Sequence, residues 1–179
     1  MKKILAISGS NHAQSINTKL LKHAISHIET HAVTYLDTTE YPLPIYSQDI
    51  EAAGIPDNAK VLWDIFASHD ALIFSVPEHN GLMPVFLKNV IDWLSRMATK
   101  DTGFFGTPNI PVLLLSTSPG ANGGATSLQT MKGLMPWWGA EVTATYSLGN
   151  FNTHFLNEKF TNETALAIKQ LVSDFEKNV

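Results

Sequence analysis

The chain has 179 residues, 44% hydrophobic and 16% charged, a length and balance that suit one domain with its own core and exclude a disordered polypeptide. It has no cysteine, which removes disulfide scaffolds, Cys-ligated zinc or iron–sulfur centres and thiol nucleophiles. Twelve basic against sixteen acidic residues leave a net charge of −4 with no basic stripe, so no nucleic-acid partner is expected. The apolar run after Lys2 and Lys3 ends at Ile7, too short for a signal peptide, and no stretch approaches the ~20 apolar residues of a membrane span. A cytoplasmic protein with no membrane partner is the expectation.

Short apolar runs alternate with longer amphipathic stretches. Lys3–Ser8 reads as a buried strand, and residues 15–28 as a helix with Ile16, Leu20, Leu21, Ala24, Ile25 and Ile28 at helical spacing. Ala32–Leu36 is a second strand. Residues 41–56 carry three prolines and a glycine and read as a long loop. A helix over 57–68, a strand over 71–76 and a helix over 84–98, opened by Pro84, come next. A strand at 110–115, a helix at 125–134, a strand at 141–146 and a closing helix at 157–177 complete the chain.

Strands separated by helices pair in parallel and carry helices on both faces. Right-handed crossovers leave two choices for five strands: a flavodoxin-like sheet of order 2-1-3-4-5, or a truncated dinucleotide-binding sheet. The chain shows no repeat and no linker, so residues 1–179 are expected to form a single domain.

Ligands of such sheets bind outside the carboxyl ends of the strands. The loop after the first strand, around Gly9, Ser10, His12, Ser15 and Asn17, feeds a helix whose N-terminal N–H groups could seat a phosphate. Ser15 is equally an ordinary helix cap. The GxGxxG and GxxxxGK[ST] fingerprints are absent. The loop after the third strand, Pro77, Glu78, His79, Asn80 and Gly81, could line a planar ligand or be a plain polar turn. The loop after the fourth, from Ser118, Pro119 and Gly120 to Gly124, allows close approach of backbone to ligand or simple flexibility. Three such loops on one sheet edge favour a single ligand site.

The run PEHNGLMPVFLKNVIDWLSR, from Pro77 to Arg96, resembles the signature of the NAD(P)H-dependent FMN reductases, flavodoxin-like enzymes that include quinone and azo-dye reductases. The first loop, GSNHAQSIN, resembles the family's GSxRxxSxN, and SPGANGGA resembles its glycine-rich loop after the fourth strand. The resemblance implies a three-layer α/β/α flavodoxin-like fold and one FMN. Ser10, His12, Ser15 and Asn17 would meet the flavin phosphate. Pro77, Glu78, His79, Asn80 and Gly81 would lie along the isoalloxazine, with Ser118, Pro119 and Gly120 on its other side. It further implies NADPH or NADH as co-substrate, a small-molecule electron acceptor such as a quinone, free flavin or azo compound, ping-pong turnover, and a homodimer or homotetramer.

Two residues depart from the family pattern. His12 stands where the family has arginine, and His79 where it has tyrosine. Arg96 is the only arginine in the chain, so no guanidinium fork serves the phosphate from the first loop. An imidazolium at position 12 would help only when protonated, and histidine has a reference pKa of ~6.5. Glu78 and His79 are the candidate proton-transfer groups, although backbone N–H groups alone could serve the ring. Other readings are a flavodoxin-type electron carrier without a nicotinamide site and a non-catalytic protein that has lost FMN. His23, His27 and His31 have metal-like spacing but read as a solvated helix border, and Trp137 and Trp138 as core or subunit-interface packing.

Overall fold

The computed structural model describes residues 1–179. Five parallel strands, β1 (Lys3–Ser8), β2 (Ala32–Leu36), β3 (Ala71–Ser75), β4 (Ile110–Thr117) and β5 (Ala140–Leu148), form a sheet of order β2-β1-β3-β4-β5. This is the flavodoxin-like order, one of the two that the alternation of elements leaves open and the one that the family resemblance implies. The strands are held in register from Ile4 opposite Ala71 to Ser8 opposite Ser75, and from Leu72 opposite Val112 to Ser75 opposite Leu115.

Successive strand residues face opposite sides of a sheet, and the core divides accordingly. Leu5, Ile7, Leu72, Phe74 and Leu114 face α3 (Asp57–Ala67), α4 (Val85–Ser95) and α5 (Ala125–Leu134). Ile4, Ala6, Ile73, Leu113 and Leu115 face α1 (Ile16–Ile25) and α7 (Asn162–Glu176). Every residue of β3 is buried, and the strand is apolar up to Ser75; each fully buried large side chain contributes ~1.5–3 kcal/mol. The α1 and α3 crossovers lie on opposite faces. The chain therefore diverges between β1 and β3, and a crevice opens at their carboxyl ends.

Several boundaries differ from the sequence reading. The 41–56 loop contains a short helix, α2 (Gln48–Ala53), started by Ser47, whose Oγ accepts the Ile50 N–H at 3.2 Å. Six residues with none buried leave no apolar period to detect. The closing helix begins at Asn162, not 157. Ahead of it come one turn, α6 (Phe151–His154), and a two-stranded hairpin, β6 (Phe155–Leu156) with β7 (Lys159–Phe160). Strand β5 carries an extra residue at Thr143, between Val112↔Val142 and Leu113↔Ala144. Trp138 is buried in the core, whereas Trp137 is 85% exposed.

Candidate functional site

The first loop leaves β1 at Gly9, whose N–H donates to the Ser75 carbonyl at 2.8 Å. A Cβ here would press on the Leu87 side chain at 3.0 Å and the Val76 backbone at 3.3 Å, so glycine lets the loop pass flat over β3. Ser15 caps α1, accepting the Thr18 N–H on Oγ at 3.3 Å. That leaves its hydroxyl proton free, and the first-turn N–H groups of Ile16 and Asn17 have no carbonyl four residues back within the helix. Capping and anion binding are therefore compatible at Ser15.

Asn17 is almost wholly buried. Its Nδ2 donates to the Thr117 carbonyl at 2.9 Å, and its Oδ1 accepts the Thr117 N–H at 3.0 Å and the Ser75 hydroxyl at 3.2 Å. This side chain stitches the start of α1 to the ends of β3 and β4. His12 is exposed, and its Nδ1 accepts the Gln14 N–H at 3.0 Å while its own N–H donates to Ser10 Oγ at 3.2 Å.

The loop after β3 is more ordered than a polar connection. His79 and Leu82 exchange backbone hydrogen bonds of 2.8 and 3.1 Å across Asn80 and Gly81, both at positive φ (53° and 83°). That is a two-residue hairpin of the primed type, for which Asn-Gly is the strongest sequence signal. Asn80 and Gly81 thus fix a turn, and His79 stands exposed beside it. Glu78 points toward α5: its Oε2 accepts the Ser127 N–H at 3.1 Å and an Asn122 Nδ2 hydrogen at 3.4 Å. A carboxylate in the first turn of a helix is favourably placed against the dipole. It also ties the second ligand loop to the third.

The loop after β4 is closed by Gly123 and Gly124, at φ 61° and 81°; a Cβ on Gly124 would collide with the Ser116 hydroxyl. Ser118 Oγ donates to the Gly120 carbonyl at 3.0 Å.

The three loops meet in an open cleft of about 280 Å³. Of the residues anticipated for the cofactor, Ser10, His12, Ser15, Asn17, Pro77, Glu78, His79, Ser118 and Pro119 line it. Asn80, Gly81 and Gly120 belong to the same loops without lining the cleft. Gln14, Ile16 and Thr117 also line it and were not singled out from sequence. The donors of the first loop, hydroxyls and helix N–H groups with no acid among residues 9–17, suit a phosphate; the flat second and third loops suit a ring. FMN chemistry fits this donor set.

Beside the second loop lies an apolar groove of about 390 Å³ that includes Ile45, Tyr46, Leu82, Met83, Val85 and Leu134. Its wall is pinned by the motif helix α4. Asn89 Oδ1 accepts the Tyr46 N–H at 2.9 Å, and Asn89 Nδ2 and Trp93 Nε1 both donate to the Pro44 carbonyl, at 3.0 and 2.8 Å. Arg96 Nε donates to Glu51 at 2.8 Å, and the Tyr46 hydroxyl donates to the other Glu51 oxygen at 2.8 Å. The bond from Arg96, then that from Tyr46, holds the Glu51 carboxyl below the usual range. The sole arginine is a clamp on the 42–51 segment.

A cleft at the β1/β3 divergence, floored by a helix N-terminus and flanked by two flat loops, defines the flavodoxin-like class of phosphate-bearing cofactor proteins. Within that class the chain belongs to the NADPH-dependent FMN reductase family, whose model matches residues 2–154. An NAD(P)H-dependent FMN reductase of Pseudomonas aeruginosa is 34% identical over 124 residues, 69% of this chain and 63% of that protein. A 2-hydroxy-1,4-benzoquinone reductase of a Burkholderia species is 32% identical over 132 residues, 74% of this chain and 69% of that protein. The chain thus aligns with only about two thirds of the length of these relatives. The fold is shared with the flavoenzyme NAD(P)H:(acceptor) oxidoreductase FerB of Paracoccus denitrificans, at 24% identity and a TM-score of 0.79, covering 98% of this chain and 95% of that one. By family the chain is an oxidoreductase that uses FMN, with NAD(P)H as co-substrate. No helix is long and apolar enough to cross a membrane.

Proposed function

We propose that residues 1–179 act as one FMN-binding unit that oxidises NAD(P)H and passes the electrons to a small acceptor, a quinone, free flavin or azo compound, in ping-pong fashion. The observation that carries this reading is the joining of the three loops in one cleft over the α1 N-terminus. FMN, when bound, supplies the hydride chemistry, and the protein supplies binding, orientation and electrostatics. The α1 N–H groups, Ser10 and Ser15 hold the phosphate. Asn17 keeps that helix terminus aligned with β3 and β4. The 79–82 hairpin and the 118–120 segment flank the ring, and Glu78 braces one against the other. No side chain is assigned to proton transfer: Glu78 is engaged by α5, and His79 has no partner that would orient it.

A quinone acceptor is supported by the Burkholderia relative and by the apolar groove beside the ring-flanking hairpin. The same groove, with Ile45, Leu82 and Val85 at 68%, 54% and 72% exposure, supports a homo-oligomer in which a second copy covers this face. A cytoplasmic location is part of the same proposal.

The decisive measurement is the visible spectrum of FMN-loaded protein before and after anaerobic NADPH. Bleaching, followed by return of colour when a benzoquinone is added, is the expected result. A yellow protein that ignores NADPH and NADH would leave an electron carrier; a protein that takes up no FMN would end the proposal.

A further inference from the structure

His23, His27 and His31 recur at four-residue intervals along the end of α1 and the turn that follows it. The structure keeps two of them together. Past Ile25 the chain continues the turn by tightened bonds, from the His27 N–H to the Ala24 carbonyl at 3.1 Å and from the Ile28 N–H to the Ile25 carbonyl at 3.2 Å. His27 thereby stands one turn after His23, and their Nε2 atoms lie 3.3 Å apart. His31 is drawn off toward the C-terminus: its Nε2 is 3.3 Å from the Glu176 carbonyl oxygen and its Nδ1 3.4 Å from Thr30 Oγ1. Neither His23 nor His27 lines the FMN cleft.

The separation of the pair is that of two ligands on one ion. Nitrogens each ~2.0–2.1 Å from a tetrahedral Zn²⁺ stand about 3.3–3.4 Å apart. In the arrangement seen, one Nε2 carries the proton that the other accepts. A metal replaces that proton, which moves to the Nδ1 of the same ring; no protein group engages either Nδ1. The rings meet edge to face, at 88° with centroids 4.8 Å apart, and the broad χ2 torsion of histidine lets both lone pairs turn to one point. His23 is held from its other side by Phe160, at 4.7 Å between ring centroids, so one ligand is already ordered. Burial first, then His27, lowers the His23 pKa from the ordinary histidine value, toward the neutral ring that a metal needs. The neighbouring cations are engaged elsewhere: Lys19 Nζ lies 3.1 Å from Glu158, and Lys22 Nζ lies 5.1 Å from the Tyr35 ring centroid. No group of three histidines or carboxylates forms, so water completes the coordination.

We propose that His23 and His27 bind one divalent late transition-metal ion, of the imidazole-seeking kind that Zn²⁺ represents, through their two Nε2 atoms. The ion clips the last turn of α1 and, through the contact of His23 with Phe160, steadies the β6–β7 hairpin. That hairpin lies beyond residues 2–154, outside the matched family region.

The test is a titration of Zn²⁺ into FMN-saturated protein free of any affinity tag, so that His12 and His79 in the cleft are covered. Binding is read by calorimetry and by the imidazole nitrogen chemical shifts of His23 and His27. One saturable site per chain is expected, weakened about ten-fold or more by His27→Gln and unchanged by His31→Gln, with NADPH oxidation the same in all three proteins. Mg²⁺, which prefers oxygen ligands, is expected not to compete. Absence of shifts at the two imidazoles, indifference to His27→Gln, an equal loss in His31→Gln, or displacement by equimolar Mg²⁺ would each overturn the assignment. The His27→Gln comparison reads out with or without flavin, so failure of FMN to bind would bear on the cleft alone.

Discussion

His12 occupies the position where the family pattern has arginine, and its neighbours set how it can act. With Nδ1 accepting the Gln14 N–H, the ring covers a donor that a phosphate could use. Arginine at this position would supply a guanidinium fork and leave the Gln14 N–H free. A charge-assisted hydrogen bond contributes ~1.5–3 kcal/mol, so His12→Arg should bind FMN about ten-fold tighter than the natural sequence. Fluorescence titrations of FMN against both proteins decide it: equal affinities would remove position 12 from the phosphate site.

At the scale of elements, the spacing of the α4 motif acquires a mechanical meaning. Asn89 and Trp93, one turn apart, hold the extended 42–47 segment by its backbone, and Arg96 with Glu51 closes its far end. Replacing Asn89 by leucine leaves the Pro44 carbonyl satisfied by Trp93 but orphans the Tyr46 N–H. The expected loss is about 2 kcal/mol, within the ~1–3 kcal/mol range for one unsatisfied buried group. Urea unfolding of Asn89→Leu checks this; a change below about 0.5 kcal/mol, inside the range of an ordinary surface substitution, would mean that the segment is held by other contacts. The sequence carried the identity of this motif but not its partners, because the bonded atoms of residues 44 and 46 are backbone. The same limit explains what else stayed hidden. Phe160 continues the apolar spacing of the last helix, and Asn157 imitates its cap, so the turn and second strand of a short hairpin read as the start of that helix. Asn80-Gly81 carries a hairpin signal that the reading as a ring-lining loop or polar turn did not use, whereas the five strands were legible because buried parallel strands leave continuous apolar runs.

Across the whole molecule, topology alone explains why three distant loops meet. Crossovers on opposite faces open the β1/β3 crevice, and β4, paired with β3, brings residues 117–119 to its other flank. The same arrangement leaves the α4 start, the 79–82 hairpin and Ile45 on one outward face, with large apolar side chains uncovered next to the ring-flanking loop. Isolated exposed leucines need no explanation, but a contiguous apolar groove does. If a second copy covers it, charge placed there should disrupt assembly without disturbing the fold. Leu82→Glu with Val85→Glu is the sharpest version, because Val85 opens α4 and a glutamate there is favoured by the helix dipole, by ~0.3–1 kcal/mol. Sedimentation velocity at micromolar concentration should show an oligomer for the natural sequence and a monomer for the double variant. Turnover with a benzoquinone should fall as the ring loses its cover. A monomeric natural protein, or an oligomer that survives both glutamates, would detach the groove from assembly and leave it to the acceptor.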